Sequence, residues 1–159
     1  RTPTQTDATT ATVTTEPSTQ VPLECLNAIN LTESWRLDYS GSDTKPVNGW
    51  YNWDPRDMIA AGRPWFRFSG SAGNKLVDFC VPMHSCGSVG TLWSNSSMPN
   101  SIVIVTSITI YGHDTDGTPK CDYWQFRGSV MRCSSAANDF VYRYDDRDGG
   151  VFGFCGMNA

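Results

Sequence analysis

Residues Arg63 to Pro99 read RPWFRFSGSAGNKLVDFCVPMHSCGSVGTLWSNSSMP. These 37 residues hold a Trp-Phe-Arg-Phe run, a Gly-rich turn, two cysteines with five residues between them and the acceptor triplet Asn95-Ser96-Ser97. Trp65 to Phe68 alternates, with Phe66 and Phe68 on one side and Trp65 and Arg67 on the other, which predicts a short strand. Ser71-Ala72-Gly73-Asn74 then turns the chain into a second strand over Lys75 to Cys80. Covalent staples and a sugar anchor at a turn are how a small extracellular domain is written.

Working outward, Ser101 to Tyr111 (SIVIVTSITIY) is the clearest strand. Its period of two puts Ile102, Ile104, Ile108 and Ile110 on one face, interrupted by Thr106. A loop with Asp114, Asp116-Gly117 and Pro119 leads to a strand over Tyr123 to Cys133. Another follows at Asp139 to Tyr144, where Phe140, Tyr142 and Tyr144 alternate with Val141 and Arg143. Upstream, Asp54 to Gly62 predicts one short helix, capped by Asp54, with Pro55 in its first position and Gly62 as its stop. Trp35 to Asn52 is loop-like. The predicted fold is mainly β, a small disulfide-stapled domain over residues 22–157 with an antiparallel sheet and one short helix.

Residues 1–21 are different in kind. The first 20 contain nine Thr, two Pro and one Ser, and no aromatic residue. Such a segment buries too little apolar surface to offset its ordering entropy. It is expected to be a disordered stalk suited to O-glycosylation, or else a plain linker. The chain starts at Arg1 without an initiator Met or apolar leader, so it reads as a mature or excised product, part of a larger chain or assembly.

Of the 159 residues 18 % are charged and 12 % aromatic, and the net charge of -4 supplies no basic stripe for nucleic acid. No apolar run approaches the roughly 20 residues that span a bilayer. Six cysteines, at positions 25, 80, 86, 121, 133 and 155, form an even set without a Cys-x-x-Cys pair. With two histidines in the chain, zinc-ligand spacing is missing and disulfides in an oxidising compartment are the better account. Six cysteines allow about 15 pairings, and spacing does not choose among them.

No catalytic constellation is complete. Asp114-x-Asp116-Gly117 and the Asp145-Asp146-Arg147-Asp148-Gly149 run contain pieces of a calcium loop. The position that needs a bidentate Glu is Gln125 counted from Asp114 and Met157 counted from Asp146. Asp114, Asp116, Asp146 and Asp148 are therefore weak metal candidates, with turn-forming Asp and Gly as the plainer account. His84 near Cys86 lacks the free thiol a cysteine nucleophile needs, and no nucleophile elbow is present. The chain reads as a non-enzyme that needs no cofactor.

Sugar chemistry is better represented. Asn30-Leu31-Thr32 and Asn95-Ser96-Ser97 are both N-glycan acceptors. Trp35, Trp65, Trp93 and Trp124 read as packing around the disulfides. Trp50-Tyr51-Asn52-Trp53, beside Asn-Gly and Asp-Pro turn signals, reads as an exposed aromatic patch with Trp50, Tyr51 and Trp53 as candidate ligand-binding residues.

In order, these features resemble the eight-cysteine extracellular domain of the uromodulin and pancreatic secretory granule major glycoprotein group. The matching pieces are Trp65-Phe66-Arg67-Phe68, Cys80-Val81-Pro82, Cys86-Gly87-Ser88 and Trp93-Ser94-Asn95-Ser96-Ser97-Met98-Pro99. Cys121-Asp122-Tyr123-Trp124, Cys133, Phe140-Val141-Tyr142 and a closing Cys155 continue the series. The family's Cys-Cys is Cys121-Asp122 here, and its cysteine in the apolar strand is gone. Carried over, the resemblance implies Cys25–Cys133, Cys80–Cys121 and Cys86–Cys155. Family domains of this kind display N-glycans as decoys for bacterial adhesins. Asn95 matches one such position, and the other, after Tyr142, is missing. The implied function is a secreted, non-catalytic glycoprotein domain for adhesion or recognition, meeting extracellular protein or glycan partners. Alternatives are a lectin-like module using the aromatic patch and a calcium-dependent matrix protein. Cross-links, rather than bulk burial, are expected to fix the shape.

Overall fold

The computed structural model describes residues 20–41, 55–113, 120–149 and 152–159. Residues 1–19 of the predicted stalk, Trp50, Tyr51, Trp53, the capping Asp54, Asp114 and Asp116 lie outside the described residues.

The fold is β-rich. Among the described residues nine strands follow in chain order: β1 Ile29–Leu31, β2 Phe66–Phe68, β3 Lys75–Leu76, β4 Gly90–Trp93, β5 Val105–Gly112, β6 Trp124–Arg132, β7 Phe140–Tyr144, β8 Phe152–Phe154 and β9 Gly156–Met157. Seven form one sheet in the order β1-β2-β7-β6-β5-β4-β8, and β3 pairs with β9 in a two-stranded ribbon. The centre is an antiparallel meander, with Ile108 opposite Gly128 and Val130 opposite Tyr142. Both outer pairs, β1 with β2 and β4 with β8, run parallel. Parallel neighbours need long crossovers. Local alternation carries no trace of them.

Alternation along β2 holds as expected, with Phe66 and Phe68 buried. Phe66, Phe68, Ile108, Ile110, Phe126, Val130, Tyr142, Tyr144, Phe152 and Phe154 gather on one face in the main core. At Gly128 a Cβ would sit 2.5 Å from the end of the Ile110 side chain, which would have to shift. The opposite face carries two smaller clusters. One joins Val77, Val81, Trp93, Cys86 and Cys155. The other joins Cys25, Cys133, Met131 and Val141, which is why Val141 is buried although it alternates with the main-core residues.

The strand predicted from Ser101 starts later. Val103 adopts φ 59°, a left-handed conformation that breaks the period. Ile102 and Ile104 therefore miss the core and are exposed. The strand expected over Lys75 to Cys80 keeps its first two residues; Val77 then donates its N–H to the Cys155 carbonyl (3.0 Å). Trp124, read as packing, is 42 % exposed.

Two α-helices are present among the described residues. α1, Leu23–Leu26, places Cys25 against β7. α2, Pro55–Ala60, buries Pro55 and Met58. Gly62 ends α2 as predicted: with φ 83° it donates to the Ile59 carbonyl (3.1 Å), and Arg63 donates to that of Met58 (2.7 Å). This is a Schellman stop.

Two glycines are demanded for different reasons, and each reason gives a magnitude. Around Gly62 a Cβ would meet nothing, so Gly62→Ala is expected to cost about 1 kcal/mol through its positive φ. At Gly156 a Cβ would lie 1.9 Å from the Ala72 carbonyl oxygen, and Gly156→Ala should cost about 3 kcal/mol or prevent folding. Urea unfolding with the disulfides intact measures both.

Burial also raises the ionisation of the Tyr142 and Tyr144 hydroxyls far above their ordinary value of 10.0. The folded protein holds both neutral, whereas the unfolded chain ionises them near that ordinary value. Their contribution is thus fully present below pH about 10 and is lost as pH rises beyond it. In an alkaline titration, the tyrosinate absorbance of these two residues should appear together with loss of the near-ultraviolet circular dichroism signal.

Candidate functional site

Asn95 lies just beyond β4. Trp93 closes that strand, buried and stacked on Tyr111 with ring centroids 4.9 Å apart, and its indole N–H donates to the Cys121 carbonyl (2.9 Å). Ser94 is buried; its N–H donates to the Val77 carbonyl (3.0 Å) and its hydroxyl to that of Thr109 (2.6 Å). Two residues on, the Ser96 hydroxyl accepts from the Thr109 N–H (3.1 Å). Both backbone groups of Thr109 are thus engaged by serine side chains, which extend β4 along β5 without a regular ladder. Asn95 sits between these anchors, exposed, and Ser97, whose hydroxyl completes the acceptor triplet, is exposed with it. A carboxamide placed this way is reachable by a glycan donor and is carried on fixed backbone.

Asn30 occupies β1, opposite Arg67 of β2, and both Asn30 and Thr32 are exposed. Its neighbours Ile29 and Leu31 are tied to the β2 side, through the Trp65 carbonyl to Ile29 (2.8 Å) and from Ser69 to the Leu31 carbonyl (2.9 Å). The Asn30 backbone consequently faces the outer edge of the sheet.

The structure pairs Cys25 with Cys133, Cys80 with Cys121 and Cys86 with Cys155, the same pairs that the resemblance implies. Sulfur atoms of Cys80 and Cys121 lie near the His113 ring in a three-ligand geometry. Those sulfurs are joined to each other, so they have no thiolate to offer a metal ion. His84 is elsewhere, in the turn before Cys86, where its N–H donates to the Val89 carbonyl (3.0 Å).

The acidic run after β7 serves the backbone. Asp145 bonds Ser129 and the Arg143 guanidinium, whose carbon lies 4.9 Å from the Trp65 ring centroid. Asp146 accepts from the N–H groups of Arg147 (2.8 Å) and Arg127 (3.2 Å), and the Arg147 bond is the main reason its carboxyl ionises more readily than usual. The Asp148 carbonyl accepts the Tyr144 hydroxyl, while its side chain is exposed. Asp146 and Asp148 do not converge with other acids into a ligand cluster among the described residues.

Sequence reading missed Arg36, which it placed in a loop. Arg36 is 1 % exposed and lies in a short 3₁₀ turn, Ser34–Leu37. It donates to Glu33 (2.8 Å) and to the Phe154 carbonyl (3.1 Å), with its guanidinium carbon 4.3 Å from the Trp35 ring centroid. Desolvation pulls its ionisation below the ordinary arginine value and Glu33 pushes back. The Trp35 ring in turn lies over Gly87, where a Cβ would come within 2.7 Å of it. The one signal available was a charged residue next to a Trp, between the first cysteine and the predicted helix.

A family model for the uromodulin-like domain matches residues 66–156, which hold β2 to β8, the Asn95 triplet and five of the six cysteines. The chain belongs to the uromodulin-like domain family. Rat uromodulin is 32 % identical over 104 residues, 65 % of this chain and 14 % of the relative. Mouse uromodulin is 32 % identical over 69 residues, 43 % of this chain and 10 % of the relative. The dog pancreatic secretory granule membrane major glycoprotein GP2 is 28 % identical over 82 residues, 51 % of this chain and 15 % of that protein. The chain therefore spans about a seventh or less of the length of these relatives. No helix among the described residues is long and apolar enough to cross a membrane.

The ion pairs differ sharply in what they carry. Glu33→Ala removes the Glu33 carboxylate from the buried Arg36 guanidinium and is expected to cost about 2 kcal/mol. Asp78→Ala breaks the open Lys75–Asp78 pair and should cost less than about 0.5 kcal/mol. Chemical unfolding of the two variants, compared with the parent, checks the ordering.

Proposed function

We propose that this chain is a secreted, non-catalytic glycoprotein domain for adhesion or recognition, presented on its Thr-rich N-terminal segment. Its working group is an N-linked glycan on Asn95, backed by disulfide-fixed loops. One observation supports this most: exposed Asn95 sits between two serines that are both bonded to Thr109 of β5. A glycan on such a shelf meets a partner without first ordering the polypeptide beneath it, so little binding free energy is lost to immobilising backbone. Three disulfides in a uromodulin-like domain agree with folding in the oxidising secretory route. One relative, the dog pancreatic secretory granule membrane major glycoprotein GP2, is by name a glycoprotein, which is consistent with a glycan-bearing role.

Ser97→Ala destroys the acceptor triplet of Asn95 while leaving the bonds of Ser94 and Ser96 to Thr109 in place. Protein secreted from a glycosylating cell should lose one N-glycan by intact mass when this change is made, with its stability shifted by less than about 0.5 kcal/mol. Mannose-binding and sialic-acid-binding lectins, used as probes, should lose the Asn95-dependent part of their binding. Unmodified Asn95 in the parent, or lectin binding unchanged in the variant, defeats the reading.

A further inference from the structure

Ile102, Val103, Ile104 and Val105 are 43 %, 51 %, 54 % and 52 % exposed. Four consecutive large aliphatic residues this open mark a contact surface more often than an idle one. The run is held rigidly. Val103, strained at φ 59°, donates its N–H to the Arg132 carbonyl (2.9 Å), and Ile102 bridges the same residue. The Arg132 guanidinium fastens the surroundings by donating to the carbonyls of Ser134 (3.0 Å), Ser135 (3.2 Å), Ala136 (3.3 Å) and Asn100 (3.4 Å). A β-branched residue persists in this conformation only where its neighbours over-determine it.

The strand edge beside the run is open. β4 covers β5 at Tyr111 and Gly112, and the serine hydroxyls cover Thr109. By the period of two, Val105 and Ser107 turn their N–H and C=O groups to the same side as Thr109. No protein partner for those groups occurs among the described residues. Native sheets guard such edges with charge or proline. From Asn100 to Gly112 there is no Asp, Glu, Lys, Arg, His or Pro.

We propose that this edge pairs with the same edge of a second copy of the chain, about a two-fold axis at Thr106. Antiparallel pairing there sets Val105 of one copy opposite Ser107 of the other, twice, with the backbone groups of all four residues facing each other. The aliphatic runs flank the junction on both sides. Charge selects a second copy as occupant. Each chain carries a net charge of -4, so two copies approach most easily where neither brings a charge, and this neutral stretch supplies that place. A self-complementary edge also satisfies two-fold symmetry without any further surface. The contact is small against the roughly 800 Å² per partner of a standard interface, so the dimer is weak and reversible.

Sedimentation equilibrium of the full chain, secreted and glycosylated, tests this. The weight-average mass should rise from one chain toward two across the micromolar range. Val105→Lys places a charge on each side of the junction, and Ser107→Pro removes an outward N–H; each should weaken association about tenfold or more. Unchanged near-ultraviolet circular dichroism and three intact disulfides confirm that both variants fold. One-chain mass at every concentration overturns the proposal. A dimer equally strong in both variants also overturns it, as does capture of an unlike protein by a chain that stays single.

Discussion

The contact on which the architecture depends is between Phe66 and Phe154. Their ring centroids are 4.8 Å apart, although β2 is second and β8 last in the order of the sheet. A flat sheet would hold those strands far apart, at nearly 5 Å per strand step. The sheet therefore curls until its two ends share one core. Tyr142 and Tyr144 fill the concavity, at 5.8 Å from Phe66 and 6.1 Å from Phe154 respectively. The Leu76 N–H donates to the Tyr142 hydroxyl (3.3 Å), which brings the small ribbon over the same hollow.

This corrects the expectation that cross-links, rather than burial, fix the shape. Among the described residues the main core contains sixteen buried side chains and no cysteine. All three disulfides lie in or beside the two smaller clusters on the other face. Each bridge still contributes, about 3 to 5 kcal/mol for loops closed over 41, 69 and 108 residues on the chain-entropy model. The division of labour is spatial. Aromatic burial shapes the concave side, and disulfides secure the convex side, where Trp93 and the Asn95 shelf are anchored.

Much of the sheet's centre was legible because β2, β5, β6 and β7 each carry a local period. The helix stop at Gly62 was legible for the same reason: turn chemistry acts over three or four residues. What stayed hidden depends on distant partners. β8 and β9 occupy Phe152-Gly153-Phe154-Cys155-Gly156-Met157, too short and too Gly-rich to announce strands. Parallel pairing of Leu92 with Phe154 joins residues some sixty positions apart. Arg36 looked like a loop cation because its acceptor, the Phe154 carbonyl, comes from the far end of the chain. At Val103 the period failed outright, since a β-branched residue is the last type expected to turn left-handed. Of the site, the Asn95 triplet was visible, while the serine anchors that make it a shelf were not.

The bridge between Cys25 and Cys133 joins a residue outside the family's matched span, 66–156, to one inside it. β1 likewise lies outside that span and completes the sheet on β2. A fragment trimmed to the recognisable family region would thus carry a lone reactive thiol beside an uncovered strand. Such a piece invites intermolecular cross-linking, and the boundary of the folding unit has to be drawn upstream of where the family model's match begins.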